Sequence, residues 1–197
     1  MSRHQRLLAL LVPAILLWPP LREAAEASMF RHMLVVFPAL LAAGWFVAGA
    51  LNARAQAAFA RWNGMGLPGL LYVTVVLTIW MIPNALDLAT VNWDVDVAKT
   101  ASLFSAGMVL ALSLRQASPV LQTFFVGNWV TMTIFVGVLF QALPTRLCNA
   151  YLVGDQVRTG IGMIVLAAAV GSVWAYGIWR RWRASAVVDD GTGVQSS

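Results

Sequence analysis

Cysteine, histidine and charge are all scarce in this chain. Of 197 residues, one is Cys (Cys148), two are His, and only 11% are charged. A single thiol can form no intrachain bridge, which excludes a small disulfide-framed secreted domain. Soluble domains carry charge on about a quarter of their residues, and a globule with so little would have no polar skin to present to water. The sequence offers no nucleophile–base pair, no phosphate loop and no paired carboxylates within an apolar run, so it is not expected to be an enzyme. Haem held by a pair of histidines is poorly served, since His4 and His32 fall on opposite sides of the expected topology.

Apolar and aromatic side chains fill the space. Hydrophobic residues make up 60% of the chain, with nine Trp and nine Phe, which excludes disorder. Six apolar runs, near residues 7–21, 29–51, 67–86, 98–114, 120–143 and 159–179, approach the ~20 residues that a helix needs to cross a bilayer. The expected fold is therefore all-α, a polytopic membrane bundle of about six transmembrane helices. It forms one domain over 1–183, followed by a flexible tail over 184–197, and its first partner is the lipid bilayer.

The opening run also has a signal-peptide layout, with Arg3 and Arg6 before an apolar stretch and Ala25-Glu26-Ala27 as a cleavage site. Retention is the favoured reading, because the next helix begins almost at once. The net charge of +5 comes from residues scattered between apolar runs. That argues for positive-inside topology and against nucleic acid.

With six spans and an inner N-terminus, eight of the 13 Lys and Arg fall inside, anchored by Arg180, Arg181 and Arg183. Both termini are then cytoplasmic in a bacterial inner membrane. Most acids fall outside, and Glu23, Glu26, Asp94 and Asp96 are read as ordinary solvated loop surface.

Small residues mark helix contacts in lipid: Gly160, Ala167, Gly171 and Ala175 on the last run, and Ala39, Ala43 and Gly44 on the second. Gln122 and Asn128 lie in the fifth run, where an amide is expensive unless paired. The helix centres hold no chain of ionisable groups, which gives proton-coupled transport little support. At the outer ends, Met29, His32 and Met33 lie within one helical turn. Met33, Met81 and Met163 fall at similar depths. Thioethers with an imidazole form a soft set suited to Cu(I), whereas Met is otherwise a common filler of apolar cores.

These residues carry a resemblance. Arg31-His32-Met33-Leu34 opens one helix and Trp80-Met81-Ile82-Pro83 ends the next. Ala101-Ser102-Leu103 opens another, and Asp155-Gln156 precedes a Gly-rich final helix. In this order, over about Phe30 to Val170, the chain resembles the CtaG family of bacterial cytochrome c oxidase assembly proteins. Arg31 stands where the family usually has Gln, Met81 where it has the His of Trp-His-x-Pro, and Lys99-Thr100 where it has Glu-His. The resemblance implies help in the assembly or copper metallation of a respiratory oxidase. Copper, as Cu(I), would sit near His32, Met33 and Met81, with Met29 and Met163 as neighbours and Asp155, Gln156 and Asp87 as accompanying polar residues. Lys99 would oppose a metal unless an acid such as Asp96 or Asp87 paired with it. The rival readings are a non-catalytic anchoring subunit of a membrane complex and a small-solute or metal transporter.

The expected orientation is testable. Reporter fusions after Val187 and after Asp94 should read inside and outside respectively; the same compartment for both would overturn it.

Overall fold

In a computed structural model, residues 3–143 and 151–192 are described, with side chains over 10–143 and 151–183. Arg146 and Cys148, which the expected topology puts on the outer side, lie outside the described residues. The described chain is all helix and turn. The order is α1 (Arg3–Leu17), α2 (Pro19–Glu26), α3 (Met29–Arg31), a π-helical segment (His32–Val36), α4 (Phe37–Ala48) and α5 (Ala53–Trp62). Then come α6 (Leu67–Met81), α7 (Pro83–Val91), α8 (Trp93–Leu114), α9 (Pro119–Ala142) and α10 (Val153–Thr192).

Five stretches are long and apolar enough to cross a membrane: Met29–Ala48, Gly64–Met81, Trp93–Leu114, Pro119–Ala142 and Val153–Arg183. The protein is thus an all-α, multi-pass membrane bundle in contact with lipid. The first apolar run forms α1, whose 15 residues span about 22 Å, short of a hydrocarbon core about 30 Å thick. Trp18 is extended ahead of Pro19 and Pro20, which begin the separate helix α2. Helix α10 stays helical to Thr192, past the expected start of a tail at 184.

Local chemistry sets the boundaries. Asn52, Asn92 and Ser118 cap α5, α8 and α9 by accepting hydrogen bonds from backbone N–H groups of the first turn. Ile82 is extended before Pro83, so the chain breaks between α6 and α7. Within Met29–Ala48 the helix widens to a π turn just before Pro38. Proline lacks an N–H and crowds the carbonyl four residues back, and a wider turn relieves both.

Glycine permits the closest helix contacts. A Cβ on Gly44 would collide with the backbone of Phe104, and one on Gly107 with the backbone of Leu41, so α4 and α8 cross nearly backbone to backbone. Gly137 and Gly160 do the same for α9 and α10, each facing the other's carbonyl. Helices α4, α6 and α8 form the centre, with α1 against α4 and α8, and α9–α10 form a second pair. At the end of the bundle away from α2 and α7, Met65 and Gly66 take left-handed backbone conformations (φ 55 and 77). Buried Asn63 there accepts from the Gly69 N–H at 2.8 Å and donates to Ser113 Oγ at 2.9 Å, fixing α6 to α8.

Gly107→Leu should therefore unseat α8 from α4. A loss of several degrees in melting temperature or outright aggregation of the purified protein is expected, whereas Gly154→Ala, which adds a Cβ with nothing within 4 Å, should be neutral.

Candidate functional site

Helix α2, the start of α3, the end of α6, α7, the start of α8 and the start of α10 meet at one end of the bundle. They bring two adjoining sites together, one ionic and one lined by thioethers.

Lys99 is the centre of the first. It lies two turns into α8, is 2% exposed, and its ammonium reaches Asp96 Oδ1 at 2.6 Å, His32 Nε2 at 2.7 Å and Glu26 Oε1 at 3.0 Å. An ammonium has three protons and no lone pair, so three acceptors match its capacity. His32 Nε2 must then accept, which leaves Nδ1 carrying the proton and donating to Tyr151 Oη at 2.9 Å. Arg22 closes the circuit from α2. Its Nε stands 2.7 Å from Asp96 Oδ2 and 3.2 Å from Glu26 Oε2. That N–H aims at neither oxygen, so the contact is an ion pair without a directed hydrogen bond. The guanidinium donates instead to the carbonyls of Ala89 and Thr90 at 3.1 and 3.2 Å, satisfying the C-terminal end of α7, and lies over the Trp93 ring.

Two cations face two carboxylates, so the cluster is neutral as a set. Burial pushes the Glu26 carboxyl above its ordinary value, while Lys99, and more weakly Arg22, draw it back down. Desolvation is the largest of these influences, so pairing does not fully offset the cost of holding Glu26 charged there.

The solvated-loop reading is corrected for two acids. Asp96 is 2% exposed, and Glu26 is largely buried against Lys99 and Arg22. Arg22, Tyr151, Glu26 and Asp96 were missed as site residues. Two signals were present in the sequence: Arg22–Glu26 at i,i+4 and Asp96–Lys99 at i,i+3 are helical ion-pair spacings. Charge at a span's edge was read as loop because nothing local in the sequence shows α2 folding back over the helix ends.

The second site lies beside it. Met33 from the π turn, Met81 from the end of α6 and Met163 from α10 line one cavity of about 50 Å³, with Phe37, Trp129 and Thr133 among the other walls. Thr133 is 2% exposed and its hydroxyl has no hydrogen-bond partner, which is rare for a buried polar atom. Phe37 belongs to both sites, meeting His32 edge to face at 5.8 Å between centroids. The equal depth of the three methionines is thus matched by a shared cavity. His32, expected beside them as a nitrogen ligand, does not line this cavity; its ring nitrogens meet Tyr151 Oη and the Lys99 ammonium. Among the described residues, no group of three or more His, Cys, Asp or Glu could hold a metal.

The other expected residues serve as struts. The Asp155 carboxylate lies in the first turn of α10 but accepts from Ser28 Oγ at 3.0 Å and from the Met29 N–H, so it caps α3 rather than its own helix. Gln156 donates to the Phe140 carbonyl at 3.1 Å, joining α10 to α9. Met29 is fully buried beneath this end. Asp87 lies in α7, where its carbonyl accepts from Thr90, and the acids that meet Lys99 are Asp96 and Glu26. Ser102 accepts from Trp80 Nε1 at 2.8 Å, tying two of the resemblance motifs together.

Removing Asp96 leaves the buried Lys99 ammonium and the partly exposed Arg22 guanidinium facing one carboxylate. Asp96→Asn should cost about 3–5 kcal/mol, read as thermal unfolding in detergent, and Glu26→Gln should cost distinctly less. The native state keeps a proton on Glu26 at a pH where the unfolded chain has released it. Stability should therefore fall as pH rises from the ordinary carboxylate value through the raised one. Glu26→Gln should flatten that slope, and an unchanged slope would remove Glu26 from the account.

Comparisons with family models, curated proteins and solved structures return no match.

Proposed function

We propose that this protein is a non-catalytic factor of the bacterial inner membrane that assists assembly or copper metallation of a respiratory oxidase. Its metal-handling element, on this reading, is the thioether cavity rather than His32. The observation that carries it is the meeting of Met33, Met81 and Met163, from three separate spans, around one small cavity with the unpartnered Thr133 hydroxyl in its wall. Three thioethers in a dry, apolar setting suit Cu(I) and would discriminate against divalent ions that prefer nitrogen and oxygen. The resemblance to the CtaG family supplies the rest. The residues that carry it, His32, Trp80, Ser102 and Asp155, lie at the same end of the bundle as the cavity, as does Lys99, which stands where the family has Glu.

The ionic cluster is the support for that cavity. The Lys99 ammonium holds His32 on the face of the π turn away from the metal, and the turn in turn presents Met33 to the cavity. With the Arg180, Arg181 and Arg183 cluster on the cytoplasmic side, the five spans would put this end on the outer face, where a copper enzyme receives its metal. The rival reading, an anchoring subunit, predicts partner binding without copper.

Titration of the purified protein with Cu(I) under reducing conditions, against a chromophoric competitor, separates the two. Met81→Leu should weaken binding at least tenfold and the Met33→Leu/Met81→Leu/Met163→Leu variant should abolish it, while His32→Ala changes affinity little. Equal binding by wild type and triple variant would overturn the copper reading.

A further inference from the structure

Besides the indole of Trp129, helix α9 carries six polar side chains that have hydrogen-bonding capacity at membrane depth, and most are accounted for. Gln122 donates to the carbonyls of Leu114 and Ala117. Thr123, Thr131 and Gln141 each bond back to the carbonyl four residues earlier. Thr133 points into the thioether cavity. Asn128 differs from all of these. It is exposed on the outside of the bundle, and no hydrogen bond to its carboxamide occurs among the described residues.

Its depth makes that costly. Asn128 is nine residues from Pro119, or about 14 Å along the helix, close to the middle of a core about 30 Å thick. Acyl chains offer no donor or acceptor, and an unsatisfied polar group there costs several kcal/mol. Water reaches a helix's ends and cannot relieve it at this depth.

The surface around Asn128 is shaped for another helix. Thr123, Gly127 and Thr131 recur every four residues along the exposed side, and a Cβ on Gly127 would meet nothing within 4 Å. Such spacing of small residues lets a second backbone approach closely. The same residues, with Phe124 and Asn128, form one side of an open groove of about 660 Å³, and Ile178 and Trp182 of α10 form the other. Of the apolar windows, that of α9 is only 22% buried and that of α10 11%, against 44% for Met29–Ala48 and Trp93–Leu114.

We infer that this face binds a second copy of the same chain, with Asn128 of each protomer hydrogen-bonded to Asn128 of the other. The choice of occupant follows from symmetry and from the amide. A two-fold axis along the membrane normal brings every residue to its own depth in the partner, so the lipid-facing amide of Asn128 meets its equal without further adjustment. A carboxamide holds both a donor and an acceptor, so two of them satisfy each other reciprocally. An unrelated helix would need a polar group placed at that same level. This dimer is independent of copper, and it leaves the ionic and thioether sites of each protomer untouched.

The test is the association of purified, fluorophore-labelled chains diluted into lipid bilayers, read by energy transfer and by single-molecule counting of subunits. Wild type should be dimeric. Asn128→Leu should weaken dimerisation about tenfold, the scale of one interhelical hydrogen bond in lipid, and Asn128→Gln should retain it. Gly127→Leu should weaken it by blocking close approach. Because position 128 faces lipid, Asn128→Leu should keep the wild-type melting temperature and helical content, which separates lost association from lost folding. In a Cys148→Ser background, Phe124→Cys should give a disulfide-linked dimer under mild oxidation. A wild type that is monomeric at every protein-to-lipid ratio, or a dimer as tight in Asn128→Leu, would overturn the inference. So would a chain that associates only when other membrane proteins are present.

Discussion

The buried ammonium of Lys99 is the contact on which the arrangement of the site end depends. It is the one group that touches α2 through Glu26, the π turn through His32 and its own helix through Asp96. His32 extends the reach to Tyr151, just ahead of α10. An ion pair buried this far repays its desolvation only when geometry is good and the remaining lone pairs are met. Here the count of donors and acceptors balances around the nitrogen, and Arg22 neutralises the oxygens that Lys99 leaves over. The raised Glu26 carboxyl shows where the margin is thinnest. Such a network contributes little net stability compared with an apolar core of the same volume. What it supplies is a single way for four chain segments to meet.

That fixed meeting explains why the π turn matters. Proline at position 38 forces the helix to widen somewhere before it. The widened segment holds both His32 and Met33, and both are buried. His32 is bound to the ionic cluster while Met33 lines the neighbouring cavity. Adjacent residues on an ordinary helix point about 100° apart, and with His32 pinned by Lys99 and Tyr151 the direction of Met33 is set as well. The thioether site is thereby positioned by electrostatics it does not itself contain.

How much of this was legible in the sequence follows from the range of each interaction. Spans, caps and breaks are local: the apolar runs, Asn92 before α8, Pro83 after α6 and Pro19–Pro20 after α1 all announce themselves within a few residues. Helical depth is also local arithmetic, which is why Met33, Met81 and Met163 could be ranked together. The partners of Lys99 are a different matter. Asp96 is three residues away, but Glu26 is 73 away in the chain and His32 67 away. Their burial depends on how α2 lies over the bundle. Composition alone could not distinguish that from a wet loop, so Glu26 and Asp96 were misread as solvated. The partners of Asp155 are likewise distant in the chain. Its place at the start of α10 was evident, yet its carboxylate serves α3, because packing brought a second set of free N–H groups nearer.

A membrane makes the unsatisfied polar group more informative than the satisfied one. In water an exposed amide or hydroxyl says little, since solvent completes it. In hydrocarbon every such group must find a protein partner, so the exceptions indicate what is missing from an isolated chain. Most of the polar side chains inside this bundle are completed within it, down to Asn63 at the far end and Trp80 at the near one. Thr133, Asn128 and the indole N–H of Trp174 are not, and the first two lie on opposite sides of the same helix. One hydroxyl lines a cavity of about 50 Å³ with three thioethers among its apolar walls, which limits its partner to something small. The other group, an amide, faces open lipid along a ridge of small residues, which requires something as long as a helix. Groups of such different surroundings call for different partners, and the dimensions of each space are what separate the proposed ion from the proposed neighbouring protomer.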